Sequence, residues 1–528
     1  MKYHKRHDTY DVFPEPKPQA EDVMLMVNKH RRRVIFLTAA LLVLFSVEGK
    51  GEPVQPPNVG VKENLTSLGK PPGNAAIIPE SLIFSEDAAN VAYASSITGK
   101  GMLVCVNDKQ GKLYNSIGKG SLMFSPRTNR IAYIAVHGKK MQVVTDYHEG
   151  PLFDGVANIT FSPDGSRMAY RAQEGRKQFV VAGGGKSREF DGISGKMGLM
   201  FSPNSKHMAA VAVEGKKQVL ILNGRYSNPY DRIGEVVFSP DSKHYAYSVE
   251  TGGRWYVIRD GKKVRLSDNV SDLSFSPNSL YLTYVAQKNR DTFVIRDVKE
   301  YGPFDNAFKP LFSPDSTRYA YAFLKAGAWR VAVDDRAGPV FDRPGKLMFS
   351  PDSSRVVYTA YSGGGWFVVM DGSKWSSVSG VAHLTFSPDS KRLACAVLVD
   401  DGQMVMENNE DGKEYDQVGA PVFSPDSKHL AYPVAKGEKM FIVIDGQEGK
   451  PFDQVGEPFF SPDSRHVVYW ASIDGGWYVV VDAKMIKNRF DGPVKGSPLV
   501  FDSESTLHGL AWRLPGPEFF RLDIEITN

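Results

Sequence analysis

Several segments carry residue types that could do chemistry. Gly183-Gly184-Gly185-Lys186-Ser187 ends like a phosphate-binding loop, in which backbone N–H groups and a lysine cradle phosphates ahead of a helix. The first glycine of such a loop would fall at Val180, and the segment follows the strand-like run Phe179-Val180-Val181. A hairpin turn is the better reading. His207, His244, His429 and His466 could in principle bind zinc, which takes imidazole at short, clustered spacings. Each stands six residues after a recurring phenylalanine, where other copies carry Arg or Lys. Equivalent positions on separate repeats are spread apart, so these histidines read as solvated residues at strand starts. Asn408-Asn409-Glu410-Asp411-Gly412 is acidic but lacks the alternating ligands of a calcium loop, and it stands where other copies have a hairpin turn. The two cysteines, Cys105 and Cys395, are too few for a Cys-rich metal site, and no disulfide is expected between them. There is no Gly-x-Ser-x-Gly elbow.

Two further series recur along the chain. Asp154, Asp191, Asp231, Asp305, Asp342, Asp416, Asp453 and Asp491 share one position. A row of carboxylates could bind cations or basic peptides. Recurrence in copy after copy favours a structural role, with each Asp bonding to backbone in the turn to the next unit. Trp255, Trp329, Trp366 and Trp477 share another position and read as packing between units, whereas Trp375 and Trp470 fall off the pattern and are candidates for a contact surface.

The element that positions all of these is a repeat. Its anchoring phenylalanine stands at Phe84, Phe124, Phe161, Phe201, Phe238, Phe275, Phe312, Phe349, Phe386, Phe423, Phe460 and Phe501. The seven gaps from Phe201 to Phe460 are 37 residues each. A fixed period in this range marks a solenoid, a propeller or an array. In the copy at Phe423, Pro421-Val422-Phe423 leads into Ser424-Pro425-Asp426-Ser427, which suits a type I turn. A second strand follows with Tyr432 at its centre, then the apolar run Met440-Phe441-Ile442-Val443-Ile444, the hairpin Asp445-Gly446, and a short outer strand Pro451-Phe452-Asp453. Four strands in 37 residues with tight turns and no helical period make a β-propeller blade. The fold class is therefore all-β.

Phe-Ser-Pro-Asp-Ser/Gly, a basic residue and then Ala-Tyr resembles the WD40-like PD repeat (PD40) of TolB-type β-propellers. The resemblance covers roughly residues 76 to 528. It implies a propeller. The chain departs from that family in having twelve repeats and no recognisable N-terminal TolB domain.

In chain order, residues 1–33 are polar and basic and end in Lys29-His30-Arg31-Arg32-Arg33; residues 34–47 are an apolar run. Fourteen residues are short for a membrane span and fit a signal-peptide core, with Met24 or Met26 as alternative starts; an uncleaved anchor is the other reading. Residues 48–74, rich in Pro, Gly and Asn, read as a linker. Twelve blades exceed the usual four to eight of one ring. The simplest arrangement is two rings of six, 75–306 and 307–528, dividing near Asn306. One large ring or an uneven split are the alternatives. Only 27 residues follow Phe501, so the last blade lacks its fourth strand. The strand at Ile77-Ile78 is expected to pair with the blade carrying Phe519 to Ile526.

The formal charge of +4 is small for 528 residues, which argues against a nucleic-acid surface. The expected function is a non-catalytic exported or membrane-anchored scaffold. It would be periplasmic or in the cell envelope, held in the anchor reading at the inner membrane by residues 34–47, and would bind another protein or an envelope ligand. No catalytic, cofactor or metal residues are assigned. The rivals are a hydrolase or lyase with a site in a central channel, and a carbohydrate-binding propeller.

Overall fold

The computed structural model describes residues 59–527 apart from 74, 196 and 197; the basic leader, the apolar run 34–47 and residues 48–58 lie outside the described residues. The described residues form strands, turns and one short 3-10 turn, Pro79–Ser81. The strands make twelve antiparallel sheets, and each of the twelve phenylalanines falls in a different one. Blade 3 shows the plan: Gly155–Phe161, Met168–Glu174, Lys177–Ala182 and Gly185–Lys186, paired in chain order. The first strands of neighbouring blades touch one another, which makes them innermost.

The third-strand runs are apolar on both faces because both faces are covered by neighbouring blades. Among the described residues there are twelve hydrophobic clusters, and each bridges two successive blades. Two of them decide the architecture. Val294 and Phe304 of blade 6 pack on Phe312, Tyr319 and Tyr321 of blade 7. Tyr93 and Cys105 of blade 1 pack with Leu68 on Val494, Leu510 and Phe519 of blade 12. Two rings of six would instead join blade 6 to blade 1 and blade 7 to blade 12. The twelve blades therefore close as one large ring, and no division falls at Asn306.

Closure uses a strand from the stretch read as linker. The segment Gly60–Gly69, here β1, pairs antiparallel with Glu518–Thr527, from Gly60 opposite Thr527 to Gly69 opposite Phe519. It is the outer strand of the last blade, so the fourth strand missing from residues 501–528 comes from the chain's other end. The strand expected at Ile77-Ile78 is β2, Ala76–Ile77, and it pairs with Ser95 and Ser96 of its own blade. It is the innermost strand of blade 1, so the expected pairing with Phe519 to Ile526 is replaced by β1. Glu63 locks β1 to the crossover from blade 11, its carboxylate accepting from the backbone N–H of Lys487 at 2.8 Å and of Asn488 at 3.0 Å. Lys484 Nζ donates to the Val59 carbonyl.

Candidate binding surface

The Ser-Pro-Asp-Ser turns build one set of ties between blades. Ser427 N–H closes the turn on the Ser424 carbonyl at 2.8 Å, and Ser427 itself sits at φ 66°. Ser424 Oγ donates to Asp426 Oδ1 and accepts from His429 N–H. The Asp426 N–H then donates to Ser464 Oγ of the next blade at 2.9 Å. The same bond recurs eight times, from Asp164–Ser205 in blade 3 to Asp426–Ser464 reaching blade 11. The repeat is thus a side-chain ladder around the ring as well as a local turn. Where repeats 1 and 12 lack the motif, His508 takes over. It bonds Asp502 through Nδ1 at 2.8 Å and the Asp87 carbonyl of blade 1 through Nε2 at 2.6 Å.

The recurring aspartates make a second set of ties. Asp154 stands where the chain crosses from blade 2 to blade 3. Its Oδ1 accepts from Lys140 Nζ of the blade behind and its Oδ2 from the Gly175 N–H of the blade ahead, both at 2.7 Å. Asp191, Asp231 and Asp453 repeat this with Lys177, Lys217 and Lys439. The structural role expected of them is what the bonds show. Asp268, which follows Ser267 in place of the usual aromatic residue, serves the same way by accepting from Asn289 N–H, and its changed neighbour hid it in the sequence.

These bonds hold the carboxylates ionised. The lysine ammonium lowers Asp154, Asp191, Asp231 and Asp453 below the usual range, and the turn hydroxyls of Ser313 and Ser350 take Asp315 and Asp352 down to about 2. A carboxylate depressed on folding stabilises the fold above its unfolded value, and that contribution is lost as pH falls through the folded value. The melting temperature is therefore expected to be flat above about pH 4.5 and to fall steeply between about pH 4 and pH 2. Thermal melts in that window check it; a melt unchanged at pH 2.5 would remove the ladder from the account.

The other candidates fall into place as structure. The histidines are not simply solvated. His207, His244 and His429 stack on Phe238, Phe275 and Phe460 of the next blade, and His429 and His466 bond Asp445 and Asp482 through Nδ1. Arg167 and Arg392 do the same work in other blades, lying over Phe201 and Phe423. Lys186 pairs with Glu174 and lies over Phe153 and Phe179, while Ser187 Oγ accepts from Val180 N–H, so the glycine-lysine-serine segment is a hairpin turn. Asn408 and Asn409, both at positive φ, also make a hairpin turn. Trp255, Trp329, Trp366 and Trp477 pack in clusters between blades, as expected. Trp375 and Trp470 are buried too, at 6% and 5% exposure, so neither forms a contact surface. Cys105 and Cys395 are buried and form no disulfide, and burial pushes the Cys395 thiol up to about 12, far from a poised nucleophile. Among the described residues no three His, Cys, Asp or Glu side chains cluster as a metal site.

The outer clefts between blades repeat as well. Val331, Val333, Asp334, Arg336 and Tyr358 line one between blades 7 and 8; Leu220, Leu222, Asn223, Arg225 and Tyr247 line its equivalent between blades 4 and 5. A cleft that recurs at the same positions is blade spacing.

One position does break the symmetry. Midway along each innermost strand the pairing is interrupted, by a bulge in blades 3, 5, 6, 8 and 9 and by a gap between two short strands elsewhere. A bulge leaves one residue unpaired and re-aims its side chain. Asn158, Asp272 and His383 take positive φ there. The interrupted segments carry Glu80, Lys119, Asn158, Glu235, Asp272, Lys309, Lys346, His383, Ala420, Glu457 and Lys495. Most of these are exposed on the wall of the central channel. Blade 7 adds Phe308, 40% exposed and stacked on Trp329 at 4.8 Å. Glu235 is committed, since both its oxygens accept from backbone N–H groups of Asp272 and Leu273 in the next blade. The exposed residues at these interruptions are thus of mixed charge. In blades 3 and 5 to 11 the residue named stands three positions before the anchoring phenylalanine.

No known family's model matches the sequence, and no curated protein matches it. Among solved structures, the chain is similar to the crystal structure of TolB from Acinetobacter baumannii, at 14% identity over 46% of this chain and 77% of that one, with a TM-score of 0.21. It is similar to the Dos1 propeller at 13% identity over 54% of this chain and 90% of that one, with a TM-score of 0.26. By its twelve four-stranded antiparallel blades closed in one ring, the chain is a β-propeller.

Proposed function

We propose that the chain is a non-catalytic scaffold, exported or anchored at the membrane, that binds another protein or an envelope component through its ring. One observation carries this reading. The polar residues that recur from blade to blade are used in holding the blades together, while the interrupted segment of the innermost strand carries Glu, Lys, Asn, Asp, His or Ala in different blades. A surface that varies on a symmetric frame is the expected form of a recognition site, because function resides in what a scaffold presents and not in the fold. A carbohydrate-binding propeller would need one aromatic and polar set repeated in every blade, and the repeated tryptophans are packed between blades.

A pull-down with the full chain, read by mass spectrometry, tests the reading. One or a few partners should be recovered, and recovery should fall severalfold in Phe308→Ser/Lys309→Glu, which alters the channel wall. Equal recovery by both would count against the channel. For localisation, the basic cluster before residue 34 should keep the N-terminus inside and place the ring outside the cytoplasm. A C-terminal alkaline phosphatase fusion should then be active, and an inactive fusion in the cytosolic fraction would reject export.

A further inference from the structure

The hairpins between the second and third strands all lie on one face of the ring, and the charges at their tips are not evenly distributed. Blades 1 to 7 each carry an exposed cation at or beside the tip: Lys100, Lys139, Arg176, Lys216, Arg254, Arg290 and Lys325. None of the seven forms an ion pair among the described residues. Their neighbours Lys140, Lys177 and Lys217 do, each with its crossover aspartate. The acids beside the tips in blades 3 and 4 are also taken, Glu174 by Lys186 and Glu214 by Arg188. In blade 6 the exposed acids Asp291, beside Arg290, and Asp268, bonded to the Asn289 N–H, stand within the series.

The sign changes further round. Blade 8 has Gly363-Gly364 at its tip, blade 9 Asp400 and Asp401, blade 10 Glu438 between Lys436 and Lys439, and blade 11 Asp474. Lys439 is held by Asp453. One face of the ring therefore presents tip cations without ion pairs over seven blades, followed by blades whose tips are uncharged in blade 8, acidic in blades 9 and 11, and mixed in blade 10, where Lys436 stands near Glu438.

We propose that these hairpin tips of blades 1 to 7 form a docking arc for an acidic segment of a partner protein, an inference that rests on the scaffold reading and names the partner's chemistry. Complementary charge speeds encounter and sets register. A membrane or a nucleic acid is negative along its whole extent and would meet Asp400, Asp401, Glu438 and Asp474 on the same face. A protein segment can be acidic over the arc alone. The chain enters at the other face, since Gly60 pairs with Thr527 at the end of the last blade away from these hairpins.

The test uses the full chain and a fluorescent poly-glutamate peptide, read by anisotropy. Binding should be seen at about 0.05 M salt and weaken at least about tenfold at about 0.5 M, where screening shortens severalfold. Lys139→Gln/Arg176→Gln/Lys216→Gln/Arg254→Gln should lose at least about tenfold in affinity at low salt. Its melting temperature should match the wild type, because these side chains are exposed and unpaired. Asp400→Asn/Asp401→Asn/Asp474→Asn should bind as well or better. Equal binding by the fourfold variant, no binding by the wild type, or tighter binding of phosphatidylserine vesicles or single-stranded DNA than of poly-glutamate would overturn the proposal. If the pulled-down partner is retained equally by wild type and fourfold variant, the arc falls and the scaffold reading stands. If the wild type recovers no partner, the scaffold reading falls, and the poly-glutamate result still decides the arc.

Discussion

Deleting residues 1–69, and β1 with them, is expected to give a protein that melts far below the wild type and elutes as higher oligomers. The reason is that β1 is the outer strand of blade 12 along nearly its whole length. Removing it uncovers the strand Glu518–Thr527 as a new edge, and unpaired edges invite strand addition from other chains. Val59 and Leu68 are buried at 4% and 8% exposure, in the clusters that join blade 12 to blades 11 and 1. Burial of two such side chains is worth about 3–6 kcal/mol before the strand's hydrogen bonds are considered. A synthetic peptide of residues 59–70 added to the shortened protein should restore part of the melting temperature. A shortened protein that melts like the wild type would mean that the ring holds closed without its N-terminal strand.

Phe312→Ala should cost about 3–5 kcal/mol, the range for removing a buried aromatic side chain. Phe312 is 8% exposed and lies between blades 6 and 7, stacked against Tyr281 and packed near Tyr319. His429→Ala is the matched control. It loses a stacking contact and one hydrogen bond from a side chain that is 44% exposed, which should cost about 1 kcal/mol or less. Denaturant melts of the two variants separate these values. Equal losses would mean that the anchoring phenylalanine is not the blade core.

The blade was legible in the sequence because each of its signals is local. The turn after Phe423, the central Tyr432 and the apolar run to Ile444 lie within one repeat, and all were found as read. The number of rings was not legible. The gap from Phe275 to Phe312 is the same 37 residues as its neighbours, and that spacing describes a blade without saying which blades meet. β1 was missed for a different reason. Its sequence Gly-Val-Lys-Glu-Asn-Leu-Thr-Ser-Leu-Gly has no clean alternation and follows a Pro-rich stretch, so pattern alone places it in a linker. Its partner supplies what the pattern lacks. Trp375 and Trp470 were misassigned because an aromatic outside the repeat phase has no equivalent to reveal its burial. For the binding surface, the sequence showed which residues repeat, and those proved structural. The variable position on the innermost strand carries meaning only once that strand is known to line the channel.

The way the ring closes also orders its assembly in time. Lys62 and Glu525, paired across the closing strands, are 463 residues apart. At the usual pace of translation, roughly 20–90 s separate the synthesis of β1 from that of its partner. Throughout that interval eleven blades can stack one upon the next, but β1 waits unpaired. Its composition suits the wait. Val61, Leu65 and Leu68 are interrupted by Lys62, Glu63 and Asn64 and by two small hydroxyl residues, and such polar interruptions discourage pairing with the wrong strand. A ribosome that stops short of Glu518 leaves β1 without its partner strand.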